Sequence, residues 1–79
     1  MKYKKKPVVI DAVQWMGGEQ IPPAPHSLLR QKRGKWELKT LEGWYFLTQF
    51  DFIIRGIKGE YYPCKPDIFE ATYESAEEP

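Results

Sequence analysis

The stretch Ile54 to Tyr73, IRGIKGEYYPCKPDIFEATY, constrains the fold more than any other part of the chain, because its local signals agree. Asp51 to Ile57 is rich in β-branched and aromatic residues, as a half-buried strand requires. Lys58-Gly59 follows, and the glycine can supply the positive φ of a two-residue hairpin turn. Glu60-Tyr61-Tyr62 resumes an extended run. Pro63 and Pro66 then end regular pairing, since neither can donate to a ladder. Pro66 has its φ preset for the first position of a helix, where a missing N–H costs nothing. Asp67 and Glu70 sit in the first turn, at the positive end of the helix dipole. Phe69 and Tyr73 lie four apart and share a face. A helix this short does not stand alone, so it must dock on the sheet.

The rest of the chain reads as sheet that packs on this unit. Pro7 to Trp15 is a strand with Val8, Ile10 and Ala12 on one face and Val9, Asp11, Val13 and Trp15 on the other. Asp11 on an otherwise apolar face marks an edge or a strand end. Met16-Gly17-Gly18 breaks the strand. Ile21 to Pro25 holds three prolines and is extended. Ser27 is a helix N-cap candidate for one or two turns through Gln31, with Gly34 as the stop; the alternative is an ordered loop pinned by Leu28 and Leu29. Lys35 to Leu41 alternates, Glu42-Gly43 turns, and Trp44 to Thr48 returns as the partner strand. Short connections make the pairing mostly antiparallel. The expected fold is α+β: a small, mostly antiparallel sheet of about five strands with a short C-terminal helix. The sheet is curled or barrel-like, or packs one face under that helix.

Composition sets limits. Seventy-nine residues make a single domain, 1–79, with a basic lead-in over 1–6 and a frayed acidic tail over 75–79. A chain of this size buries only about 60% of its unfolded surface, so each large apolar residue counts. With 42% hydrophobic and 15% aromatic residues it is not a disordered segment. One cysteine excludes an internal disulfide, and one cysteine with one histidine excludes an ordinary zinc cluster. A reducing compartment follows from the lack of disulfides. No apolar run approaches a membrane span or a signal peptide. The net charge of +1 hides an asymmetry: residues 1–39 carry nine Lys/Arg against three Asp/Glu, and residues 40–79 carry three against eight. Either the two halves neutralise each other in the fold, or the basic half forms a face for an anionic partner.

The chain resembles a family of small bacteriophage and prophage proteins. The resemblance lies in the opening Lys6-Pro7-Val8-Val9-Ile10-Asp11-Ala12-Val13-Gln14-Trp15, in Leu38 to Trp44, and most specifically in Ile53 to Glu74. It covers roughly the first 15 and last 40 residues. Where that family has Pro-Gly-Asp before the Ile-Ile strand, this chain has Gln49-Phe50-Asp51, so the turn there is expected to differ. The resemblance implies phage origin and the host cytoplasm, and it implies no established activity; no cofactor is expected.

Cys64 with His26 would be needed for nucleophilic catalysis, and nothing in their spacing brings them together; Cys64 beside Pro63 is equally a small buried hydrophobe. Glycine spacing does not match a phosphate loop. A non-enzymatic binding protein is therefore expected. Its first candidate site is Gln14, Trp15, Trp44, Tyr61, Tyr62, Lys65 and Asp67, flat apolar surfaces with polar tips that could line a cleft for a nucleotide-like ligand or a host protein. Stoichiometric capture of this kind would suit a phage counter-defence protein. The alternative is single-stranded nucleic-acid binding through Arg30, Lys32, Arg33, Lys35 and Trp36, where basic groups interleave with an aromatic. A minor virion component is a third reading. A homodimer through a free sheet edge is a further expectation.

Overall fold

A computed structural model describes residues 1–4 and 7–76. Lys5 and Lys6 of the basic lead-in and residues 77–79 of the expected frayed tail lie outside these. The described residues form six strands, a single 3-10 turn and one helix: β1 (Asp11–Gln14), the 3-10 turn (His26–Leu28), β2 (Leu29–Lys32), β3 (Lys35–Thr40), β4 (Gly43–Phe46), β5 (Phe52–Arg55), β6 (Tyr61–Cys64) and α1 (Pro66–Thr72). The strands make two three-stranded antiparallel sheets, one in the order β1-β5-β6 and the other β2-β3-β4. The α+β class and the closing helix are as expected. The single curled or barrel-like sheet of five strands is not.

The sixth strand is β2. The residues read as a helix from Ser27 begin with a three-residue 3-10 turn, and its N-cap position holds Pro25 with no side-chain cap bond. Leu29 to Lys32 then pair with Leu38 to Lys35. Gly34 is no helix stop. Arg33 and Gly34 both take positive φ, 55° and 77°, and make a two-residue turn of the I′ kind, whose twist matches an antiparallel hairpin. Hairpin closure overrides the helix propensity of Gln31 and Lys32.

Two further expectations change in detail. The Lys58-Gly59 turn is longer than two residues: Gly56 donates to the Glu60 carbonyl at 2.7 Å, leaving Ile57, Lys58 and Gly59 as the loop, with Gly59 at φ 81°. Pro63 does not end pairing. It lies inside β6 opposite Ile53, and β6 is an edge strand, where a missing donor is tolerated. Asp11 begins β1, an edge strand, as its placement in the sequence implied.

The register defines three layers. Successive residues of a strand point to opposite faces. Ile53 and Tyr61 of the first sheet face the second sheet, where Ile53 joins Trp15, Leu38 and Leu47 in the core with Leu29, Trp36 and Tyr61 packed around it. Phe52, Ile54 and Tyr62 face the other way, under α1. There Phe69 stacks on Phe52 with ring centroids 3.8 Å apart and on Tyr73 at 4.9 Å. The first sheet is thus covered on both sides, which is why the adjacent Ile53 and Ile54 are both buried. The second sheet is covered on its inner face, formed by Leu29, Trp36 and Leu38.

Candidate functional site

The outer face of the second sheet follows from the register. Cross-strand partners share a face. Arg30 pairs with Glu37 and Lys32 with Lys35, while Glu37 pairs with Phe46 and Lys39 with Trp44. These residues alternate with the core-facing set. One face of three strands therefore carries Arg30, Lys32, Lys35 and Lys39 around two aromatic rings, Trp44 and Phe46. Arg33 stands at the tip of the β2–β3 turn. The only carboxylate that the register puts among them is Glu37, which is buried and accepts a hydrogen bond from Arg30 Nε at 2.6 Å. The Arg30 guanidinium lies 4.1 Å over the Trp44 ring, and Lys35 Nζ lies 5.9 Å from the Phe46 centroid. Cations over π faces at these distances are attracted to the ring quadrupole. Arg30 is thereby held flat between Glu37 and Trp44. Lys32, Arg33 and Lys35 are exposed, and Phe46 is 57% exposed.

This face carries three of the five residues named for nucleic acid, Arg30, Lys32 and Lys35, with Arg33 at the adjoining turn. Trp36 lies on the opposite, inner face and packs against the core. Sequence reasoning missed Lys39 and Phe46. Their alternation within Lys35–Thr40 and Gly43–Phe46 is visible in the sequence, but a face needs a third strand, and the local signals of residues 27–31 point to a short helix or a pinned loop rather than to β2.

The seven residues proposed to line a ligand cleft are not brought together. Trp15 is 6% exposed, in the core, and its indole N–H donates to the Gln20 carbonyl at 2.9 Å. Gln14 Nε2 donates to the Phe50 carbonyl at 3.1 Å. Trp44 belongs to the outer face of the second sheet. Lys65 Nζ donates to Thr48 Oγ1 at 2.6 Å and to the buried Asp51 carboxylate at 3.0 and 3.2 Å, so its charge answers an internal acid. Asp67 is in the first turn of α1. Tyr61 and Tyr62 share a cleft of about 370 Å³ that none of the other five lines.

Cys64 lies in β6, and its thiol donates to the Lys65 carbonyl at 3.6 Å. Burial first, and then the Asp51 and Asp67 carboxylates, push the thiol pKa up, which disfavours the thiolate. Among the described residues no group of three His, Cys, Asp or Glu side chains is placed to hold a metal ion, and no helix is long and apolar enough to cross a membrane. No family model, no curated protein and no solved structure matches the chain.

Proposed function

We propose that the protein binds single-stranded nucleic acid on the outer face of the β2-β3-β4 sheet. One observation carries this reading: the strand register collects four cations and two aromatic rings on one solvent-facing surface of three short strands. With Arg33 at its tip, the surface holds five cations and one carboxylate. The whole chain has a net charge of only +1, so the molecule outside this surface is net acidic.

The chemistry is backbone contact plus stacking. Lys32, Arg33, Lys35 and Lys39 meet phosphates in this reading, and the exposed Phe46 ring stacks on a base. Flat sheets that bind RNA stack two or three bases on such rings. Trp44 is the second platform, with the Arg30 plane already on it. The reading carries no base-specific code, since stacking and phosphate contact tolerate every sequence. The resemblance to phage and prophage proteins supports, as part of the same proposal, action in a host cytoplasm. Capture of a nucleotide-like ligand by the seven-residue set loses its geometric basis, because that set does not converge.

Fluorescence anisotropy with labelled single-stranded DNA and RNA dodecamers tests this. Four exposed cations on a single strand give a log–log salt slope of roughly −3, hence roughly a 50-fold loss of affinity from 50 to 200 mM salt. Lys32→Ala and Lys35→Ala should each flatten the slope by about 0.7. Phe46→Ala should weaken binding about 5- to 100-fold with little effect on the salt slope. No binding at 50 mM salt with 100 μM protein, or binding that ignores salt, overturns the proposal.

A further inference from the structure

The cleft that holds Tyr61 and Tyr62 is a second site of opposite character. It opens between two hairpins. Thr40, Leu41, Glu42 and Tyr45 come from the β3–β4 hairpin; Glu60, Tyr61, Tyr62 and Pro63 come from the loop and edge strand of β5–β6. Its volume of about 370 Å³ is at the small end for ligand sites. Three tyrosines and a proline ring form much of its wall, two carboxylates lie at it, and no Lys, Arg or His lines it. Tyr45 is on the opposite face of β4 from Trp44 and Phe46, so this cleft is separate from the basic surface.

We infer that this cleft binds an organic cation, an alkylammonium or guanidinium group. A phosphate or carboxylate brought here meets two negative charges and no positive partner. A cation meets those charges and the rings of Tyr45 and Tyr61, aromatic neighbours of the kind by which cages take ammonium groups. Tyr45 and Tyr62 hold their protons more tightly than a free phenol. The Tyr45 phenol donates to Glu42 Oε2 at 3.0 Å, and this bond raises its pKa; burial and Tyr73 push Tyr62 up to about 12. The carboxylates are positioned rather than free: Glu42 by Tyr45, and Glu60 by the Lys58 N–H at 3.1 Å. The inference stands independently of the nucleic-acid reading, since it uses none of the same side chains.

The test is an NMR titration of the ¹⁵N-labelled protein with tetramethylammonium, butylammonium and methylguanidinium, and with adenosine monophosphate as the anionic control. Saturable shifts confined to the cleft residues with at least one of the cations, and absent with the nucleotide, are expected. The cation that binds tightest separates a quaternary ammonium site from one for a lysine-like or arginine-like group. Glu42→Gln should weaken that binding at least fivefold. Tyr45→Leu, which keeps apolar bulk and removes the ring, should do the same, with the spectrum itself reporting that the fold is intact. Equal shifts with adenosine monophosphate, no shift with any cation at 20 mM, or unchanged affinity in Glu42→Gln would sink the inference.

Discussion

Tyr62 shows how one residue's surroundings become a measurable property of the whole protein. Its phenol is pushed up to about 12 from an ordinary value of 10, first by burial under α1, then by its hydrogen bond with Tyr73. A proton held more tightly in the folded state stabilises the fold fully below the unfolded pKa, and that contribution is lost as pH rises through the folded value. Stability should therefore hold up to about pH 10 and decline between about 10 and 12. Thermal melts across that range check it, and Tyr62→Phe should remove most of the decline. Asp51 makes the complementary case. Its carboxylate is 1% exposed and is met by the Thr48 N–H at 2.9 Å, the Thr48 hydroxyl at 3.1 Å and Lys65. Lys65→Met leaves that buried charge with Thr48 alone. It should cost about 1–3 kcal/mol, against about 0.5 or less for an exposed control such as Lys58→Met, by denaturant titration. The residue types of Asp51 and Lys65 were plain in the sequence. That an acid before one strand and a lysine before a helix meet over 14 residues depended on the hairpin between them.

Turns decide the elements. Arg33 sits at φ 55° in a two-residue turn that suits Asn-Gly, and a long side chain there bears the cost of the left-handed region. Arg33→Asn should stabilise the β2–β3 hairpin by about 0.5–1 kcal/mol, a rise of roughly 2–8 °C in melting temperature for a domain this small, while lowering the salt slope of nucleic-acid binding by about 0.7. The opposite signs separate a folding effect from a binding effect. The turn Thr48–Asp51 has the same character. Asp51 N–H donates to the Thr48 carbonyl at 3.1 Å, and Phe50 takes φ 75°, the third-position conformation of a type II turn, which Pro-Gly would suit better than Gln49-Phe50. The C-terminal unit was legible because its signals are local: Pro66 opens α1, Asp67 lies in its first turn, and Phe69 and Tyr73 share a face. The helix or pinned loop expected from Ser27 to Gln31 is instead a 3-10 turn and a strand, because the Arg33-Gly34 turn that pairs Leu29–Lys32 is recognised only once β3 is opposite.

The molecule as a whole is a thin stack of helix, sheet and sheet. Its radius of gyration of 13.8 Å exceeds the roughly 12 Å expected for a compact domain of this length. The fully buried set is correspondingly short, and a few side chains hold the layers together. Ile54 is fully buried on the face of the first sheet where Phe52 stacks on Phe69 of α1, and Ile53 lies between the two sheets. Ile53→Ala or Ile54→Ala should each cost about 2–5 kcal/mol, a large part of the roughly 4–12 kcal/mol available to 79 residues. Val13→Ala, on an edge strand and 56% exposed, should cost little. Urea midpoints of the three variants measure this. Consecutive burial at 53 and 54 is the signature of a sheet covered on both faces, and it argues directly against the open or barrel-like sheet expected from strand count alone.

Local chemistry settled what depends on near neighbours: the antiparallel pairing, the Pro-started helix, the presence though not the length of a hairpin turn at Gly59, and the uneven charge along the chain. These follow from φ preferences, missing donors and side-chain alternation, all of which act within a few residues. Tertiary structure alone decided which faces the strands present. It divided six strands into two sheets, sent Trp15 and Trp36 into the core, left Phe46 in solvent, and gathered Arg30, Lys32, Lys35 and Lys39 onto one surface. It also set Glu42 and Tyr45 across from Glu60 and Tyr62. The reason is that a strand has two faces, and only its register with other strands and the layer it packs against fix which one meets water.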